Sequence, residues 1–387
     1  MLHIGIIGYG RRVSNMAERL SVFRIPYEIA AVADPRADAL AASDPRLAGA
    51  RLYPDAASML AAEADALDGV MIGTRCRLHT EMACRVAPYN LPIFLEKPVA
   101  ITFEQLRRLE ETFRGYRAPV VVSFPLRLSP IVQRVREIVA SGAIGTVEHV
   151  VAVNDVPYGS VYYHRWYRDY AEAGGLFLQK ATHDLDYIQY LLGQRPRTVA
   201  AIKAQRVYGG DKPFDLHCVD CAEYETCPES PFNLFYERFE GEAVADMPER
   251  MCLYAEGIRN QDLGNVLIEY EGGAQCSYTQ NFFARHKAAR RGARLYGYRG
   301  TIDFDWYENT IRVYKHQSPE VETIGFTGDM PHFGGDRELC LDFLRAMRDG
   351  TPSRSPLEAG ILSALTCLWA RESAETRRFC TVEMPNG

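Results

Sequence analysis

The first ten residues constrain the fold more than any other stretch. Residues 3–7 form a mostly apolar run that ends in Gly8-Tyr9-Gly10, and a helical pattern with Met16, Leu20 and Phe23 on one face follows at once. A strand, a glycine turn and a helix in that order predict the opening of a parallel α/β sheet. Apolar runs recur at 28–33, 70–73, 93–95 and 120–123, with amphipathic stretches between them. One of these stretches, 103–113, begins with Thr102-x-x-Gln105, a capping box. Continuous apolar strands separated by helices read as a parallel sheet covered on both faces.

Past residue 124 the periodicity changes. A helix is predicted over 130–140, a strand over 147–153 and an aromatic loop over 158–170. Longer strands are predicted over 199–203, 266–270, 275–281, 293–298 and 301–305. These alternate apolar and polar residues or are joined by short turns such as Glu271-Gly272-Gly273, the pattern of an antiparallel sheet with one face open. Two helices, 336–348 and 356–377, close the chain. A length of 387 residues suits two domains. The expected fold class is therefore α/β: an N-terminal doubly wound, Rossmann-type parallel sheet over 1–123, then a C-terminal α+β domain with a mostly antiparallel open sheet over 124–387. An insertion is expected over 206–252.

Composition narrows the function classes. Hydrophobic residues are 47% and charged residues 24% of the chain, which excludes wholesale disorder. No apolar run reaches the roughly 18 residues of a membrane helix. Lys and Arg number 44 against 50 Asp and Glu, a net charge of −6, which argues against a nucleic-acid partner. The basic cluster of Arg285, His286, Lys287, Arg290, Arg291 and Arg294 reads as a solvated loop. The N-terminus has no basic region or small-residue cleavage site, so the chain reads as mature and cytoplasmic.

The Gly8-Tyr9-Gly10 turn is placed to hold a dinucleotide. The first glycine permits the turn, and the second lets the backbone approach a pyrophosphate resting on the helix start, where Arg11 and Arg12 also lie. The third glycine of the full fingerprint is missing, for Val13 stands there. Asp34 closes the second strand 26 positions after Gly8. A carboxylate there accepts the ribose hydroxyls and repels a 2′-phosphate, favouring NAD, while Arg36 two positions on leaves room for NADP.

Glu96-Lys97-Pro98 follows the strand at 93–95 and so falls at the carboxyl edge of the sheet. With the glycine turn, this tripeptide resembles the Gfo/Idh/MocA family of NAD(P)-dependent oxidoreductases. Ile72-Gly73-Thr74 with His79, Gly174-Gly175 followed by Lys180-Ala181-Thr182-His183-Asp184-Leu185-Asp186, and Gly334-Gly335-Asp336 before a helix extend the resemblance along most of the chain. It implies that Thr74, His79 and Glu96 lie around the cofactor. Lys97 would polarise the reacting oxygen, Glu96 would hold Lys97, and Pro98 would fix the loop through a cis bond. His183 would be the general acid/base, because imidazole titrates near operating pH. Asp186 falls on the same helical face as His183. Many members carry Asp four residues before this histidine, and here Gln179 stands there with Lys180 beside it. If 176–181 is a strand, these two point to opposite faces. A second cation beside the substrate suits an acidic sugar.

Tyr158 to Arg168 is dense in aromatics and donors, which fits a polyhydroxylated ring. Tyr163, Arg165, Trp166 and Arg168 are therefore candidate substrate contacts, with Arg127, Asn154, Gln179, Lys180 and Asp186. Cys218, Cys221, Cys227 and Cys252 have a spacing that can hold a structural zinc, with His217 adjacent. The expected activity is hydride transfer between a nicotinamide cofactor and a hydroxyl or keto carbon of a sugar or sugar-like polyol, possessed by a homodimer or homotetramer. Two other readings stay open: a glycoside-cleaving hydrolase or lyase that oxidises a sugar C3 transiently, and a non-enzymatic NAD-binding regulator.

Overall fold

The computed structural model describes residues 1–233, 250–327 and 331–385. Part of the insertion expected over 206–252, namely 234–249, lies outside them.

Six strands form a wholly parallel sheet in the order β3-β2-β1-β4-β5-β6. They are β1 Leu2–Ile7, β2 Tyr27–Ala33, β3 Arg51–Tyr53, β4 Gly69–Ile72, β5 Ile93–Leu95 and β6 Val120–Val122. β4, β5 and β6 are buried at every position, as strands covered on both faces must be. The order reverses between β1 and β4, and the crevice at their carboxyl ends is where open α/β sheets take ligands. Helix Phe103–Thr112 starts as the sequence predicts: the Thr102 hydroxyl accepts the Gln105 N–H at 3.1 Å.

The missing third glycine has a physical explanation. A Cβ built on Gly73, at the end of β4, would lie 2.0 Å from Cγ2 of Val13. The close approach of the first helix, Arg11–Arg19, to the sheet is thus granted by a glycine on the neighbouring strand, and Val13 fills the space.

The second sheet has nine strands in the order β14-β13-β12-β11-β7-β10-β9-β8-β15. These are β7 Val147–Asp155, β8 Pro196–Ala204, β9 Leu263–Tyr270, β10 Gln275–Asn281, β11 Arg290–Gly297, β12 Gly300–Asp305, β13 Thr310–Lys315, β14 Val321–Gly325 and β15 Cys380–Thr381. Among these nine strands only β7 and β10 pair parallel. β9 alternates strictly between buried and exposed or half-buried residues, so one face packs on helices and the other is open. The covering helices are Thr182–Leu192 and Leu357–Thr376. The basic cluster is not simply a solvated loop: Arg290, Arg291 and Arg294 lie in β11, and Arg291 is buried.

Helix Gly335–Asp349, though late in the chain, sends Leu339, Cys340, Phe343 and Leu344 into the core of the first sheet. There Phe343 meets Phe94 edge-on at 5.8 Å. Among the described residues no helix is long and apolar enough to cross a membrane.

Candidate active site

The dinucleotide cradle is assembled at the switch point. Gly8 has φ +80°, and a Cβ there would strike Thr74 at 2.8 Å, so only glycine fits the turn. Gly10 precedes the first helix in extended conformation, and no side chain caps that helix. Its first-turn N–H groups and positive dipole end are arranged for an anion. Asp34 is buried at the end of β2, where it accepts the Tyr9 N–H at 3.1 Å and the Arg36 N–H at 2.9 Å. These residues fit a dinucleotide. The Tyr9 ring is buried in the core with its hydroxyl on Asp44 at 2.9 Å, so Tyr9 faces the cradle through its backbone. Arg36 stays 70% exposed. Thr74 lies on the loop after β4 and His79 opens the helix His79–Val86 that follows, its ring standing between the Pro98 carbonyl at 2.8 Å and the Thr74 carbonyl at 3.1 Å. A neutral ring can donate to only one of these at a time, and burial lowers its pKa. His79 therefore ties the loops after β4 and β5 together.

Arg12 is fully engaged with protein. It donates Nε to Glu96 at 3.0 Å, Nη1 and Nη2 to Asp336 at 2.8 and 2.7 Å, and Nη2 to Ser123 at 3.1 Å. Glu96 accordingly grips Arg12 and not Lys97, contrary to the sequence-based expectation. The Lys97–Pro98 bond is cis.

Lys97 Nζ instead donates to the Gln179 carbonyl at 2.8 Å, with Gln179 Oε1 at 3.3 Å. Burial outweighs the neighbouring Glu96 and lowers the Lys97 pKa to about 8. Residues 177–181 are not a strand. Phe177–Ala181 is a π-turn that runs into helix Thr182–Leu192 and turns the Gln179 and Lys180 side chains to different neighbours. Lys180 Nζ meets the Tyr158 hydroxyl at 2.5 Å and stands 4.5 Å from the centre of that ring. His183, on the first turn of the helix, packs edge-on to Phe124 at 5.9 Å, and its Nδ1 has no hydrogen-bond partner among the described residues. Burial, then the positive charges of Lys97, Arg291 and Lys180 and the His332 ring, hold its pKa well below the usual imidazole value. Burial and these charges favour the uncharged form of the ring in the unliganded protein.

Several expected substrate contacts are used elsewhere. Arg127 and Asp186 hold each other in a buried pair at 2.6 and 2.9 Å. Asn154 donates to Asp184 at 2.7 Å, and Asp184 also takes Arg291 Nε at 2.9 Å and the Tyr278 hydroxyl at 2.9 Å. Asp184 and Arg291 were missed as site-supporting residues, because the partners lie 107 positions apart. Tyr163 is wholly buried beside Tyr208, its hydroxyl on the Gln261 carbonyl. Arg168 is buried, with its guanidinium 4.4 Å from the centre of the Phe214 ring. Trp166 stacks under Arg75 at 4.1 Å, and Arg165, half-buried, precedes it. The aromatic segment is mostly a satellite core, and its Tyr158 and Tyr162 rings lie beside the Lys180 ammonium. The zinc expectation finds no support among the described residues: no three His, Cys, Asp or Glu side chains there are grouped to hold a metal, and Cys218 donates to the Met251 carbonyl at 3.4 Å.

A Rossmann sheet with a dinucleotide cradle, joined to a second sheet whose helix carries a histidine, defines an NAD-binding oxidoreductase. Residues 2–124 match an oxidoreductase family with an NAD-binding Rossmann fold, and 132–303 match the GFO/IDH/MocA C-terminal domain. The chain belongs to the Gfo/Idh/MocA family. YteT of Bacillus subtilis is 26% identical over 313 residues, 71% of either chain. Inositol 2-dehydrogenase of Rhizobium meliloti is 31% identical over 139 residues, 36% of this chain and 40% of that one. The solved structure of levoglucosan dehydrogenase with NADH and levoglucosan superposes with a TM-score of 0.76 at 18% identity, covering 98% of this chain and 99% of that one, a likeness of fold.

Proposed function

We propose that the protein is an NAD-linked dehydrogenase of a sugar or inositol-like polyol. Gly8, Gly10 and the first-turn amides of helix Arg11–Arg19 would hold the pyrophosphate, and Asp34 the adenosine ribose. The bound nicotinamide supplies a hydride acceptor. Lys97 reaches the substrate oxygen that loses its proton, and the neutral His183 ring hydrogen-bonds the same oxygen. Gln179 orients Lys97. The observation that carries this reading is that Lys97, just past the carboxyl end of β5, donates at 2.8 Å to the Gln179 carbonyl on the π-turn that leads straight into the helix bearing His183. The class of substrate is supported by the inositol and levoglucosan dehydrogenases among the similar proteins. Within that class, Lys180, next to Gln179 on the π-turn with its ammonium at the Tyr158 hydroxyl, favours a substrate bearing a carboxylate. A homodimer or homotetramer through the open face of the second sheet fits the exposed Ile202, Leu267 and Val151 there.

The test is formation of NADH from inositols, anhydrosugars, aldoses and uronic acids, followed at the nicotinamide absorbance band. Turnover abolished by Lys97→Met supports the reading. Aglycone release from glycosides without net NADH would favour transient oxidation, and failure of every substrate with the cofactor still bound would favour a regulator.

A further inference from the structure

Gln179 is 5% exposed and sits in the middle of the π-turn Phe177–Ala181. A π-turn holds an extra residue per turn and is frequent where a site needs a carbonyl turned out of the helix. Here the Gln179 carbonyl meets Lys97 Nζ at 2.8 Å, and its side-chain Oε1 lies 3.3 Å from the same nitrogen. Cys76 Sγ donates to Oε1 at 3.5 Å. Burial pushes the Cys76 thiol up to about 12, so it stays a neutral donor. An ammonium and a thiol both offer hydrogens, so the amide presents its oxygen and not its nitrogen.

The consequence lies in counting hydrogens. A neutral amine has two N–H groups and one lone pair. The two Gln179 oxygens take the two N–H groups, and the lone pair is left for the substrate hydroxyl. When the amine is protonated, its third N–H points along the same direction. The charged or titratable groups that bear on Nζ are Cys76 after β4, Glu96 beside it, Arg12 on the first helix, Lys180 on the π-turn, and the rings of His79 and His183. Glu96, the one carboxylate among them, is hydrogen-bonded to Arg12. Gln179 holds the amine without adding a charge that would lock its proton on.

We propose that Gln179 is a positioning residue that makes Lys97, and not His183, the group that takes the substrate's hydroxyl proton. The proposal rests on the dehydrogenase reading above. In the step, the substrate O–H bond breaks and an N–H bond forms at Lys97. The electron pair of the neighbouring C–H bond leaves as hydride to the bound dinucleotide, and the carbon–oxygen bond becomes a carbonyl.

The test uses the full chain with NAD+ in two measurements. The first is pulse acetylation of Lys97 with acetic anhydride across a pH series, read by mass spectrometry, and it needs no turnover. Gln179→Glu places a carboxylate on the amine and is expected to raise the Lys97 midpoint by about one pH unit or more. An unmoved midpoint overturns the proposal. The second is the pH profile of kcat/KM for polyol oxidation, whose acid limb is expected to move up with the acetylation midpoint. A limb that stays put while the midpoint moves assigns the proton to another group and overturns the proposal. Gln179→Met, neutral and close in size, serves if the acidic variant does not fold. It is expected to lower kcat roughly tenfold with KM unchanged, since one of two oriented acceptors is lost; an unchanged kcat overturns the proposal. If no polyol is oxidised at all, the dehydrogenase reading fails, and the acetylation series still decides whether Gln179 governs Lys97.

Discussion

Arg12 and Asp336, 324 positions apart, meet in a two-pronged ion pair at 2.7 and 2.8 Å. The same guanidinium holds Glu96, so one side chain joins the first helix, the loop that carries Lys97 and the start of helix Gly335–Asp349. Arg12→Met would strand two carboxylates that are only 2% and 6% exposed. A loss of about 3–5 kcal/mol in unfolding free energy is expected, measured by denaturant titration. The pH dependence follows from Asp336, whose pKa Arg12 and the His332 ring hold well below the usual carboxylate range against the effect of burial. A depressed folded pKa stabilises above the unfolded value, about 4, and that stabilisation is lost as pH falls through the folded value. The gap between wild type and variant is therefore expected to narrow below about pH 4.

Lys97 carries the opposite sign. Its folded pKa of about 8 lies below the ordinary lysine value of 10.5, chiefly through burial. Between these values the unfolded chain keeps a proton that the folded chain has released, so stability rises with pH across that window. Below it, both forms carry the charge and the desolvation cost is fully present. Lys97→Met is thus expected to melt higher than wild type at pH 7, with the advantage shrinking between about pH 8 and 10.5. The same variant is expected to lose about 100-fold or more in turnover. A lower melting temperature at pH 7 would contradict this account.

Arg127 and Asp186 separate a structural role from a substrate role. Both are buried and satisfy each other, and Arg127 also donates to the Arg354 carbonyl at 3.0 Å. Removing Arg127 leaves the Asp186 carboxyl, which burial already raises to about 6, without its counter-charge. Arg127→Met is expected to cost about 3–5 kcal/mol in stability while KM stays within about twofold. A large rise in KM in a stably folded variant would return Arg127 to the substrate.

What could be read in the sequence was local. The run at 93–95, the glycine turn and the Thr102 cap each report on a few neighbouring residues, and the structure has β5, the Gly8 turn and the capped helix where those patterns predict them. What could not be read depends on partners far along the chain. Gly73 takes over the role of a third glycine from another strand. Gln179 meets Lys97 from 82 positions away, and Arg291 meets Asp184 from 107. The π-turn at Phe177–Ala181 carries short apolar periodicity that mimics a strand. β14 is mostly exposed, so it has no buried face for a hydrophobic pattern to announce. In the aromatic segment composition alone does not distinguish rings packed on one another, as Tyr163 is on Tyr208 and Tyr162 on Tyr167, from rings facing a ligand.

Lys180 tests the substrate's charge. Its ammonium lies against the Tyr158 hydroxyl and ring, and it acts on both Lys97 and His183. A carboxylate on the substrate would gain a charge-assisted contact there, whereas a neutral polyol would meet only a donor. Lys180→Met is expected to raise KM about tenfold or more for uronic acids and other carboxylate-bearing sugars, and about twofold or less for their neutral counterparts. Added salt should weaken binding of the acids to wild type more than to the variant, because the contact being screened is absent in the latter. Tyr158→Phe keeps the ring over which the ammonium sits and removes only the hydroxyl, so it distinguishes loss of charge from loss of shape. Equal rises in KM for acidic and neutral substrates in both variants would make Lys180 a contributor of shape and not of charge, held by Tyr158. An unchanged KM for every acid in Lys180→Met would remove the acidic substrate altogether.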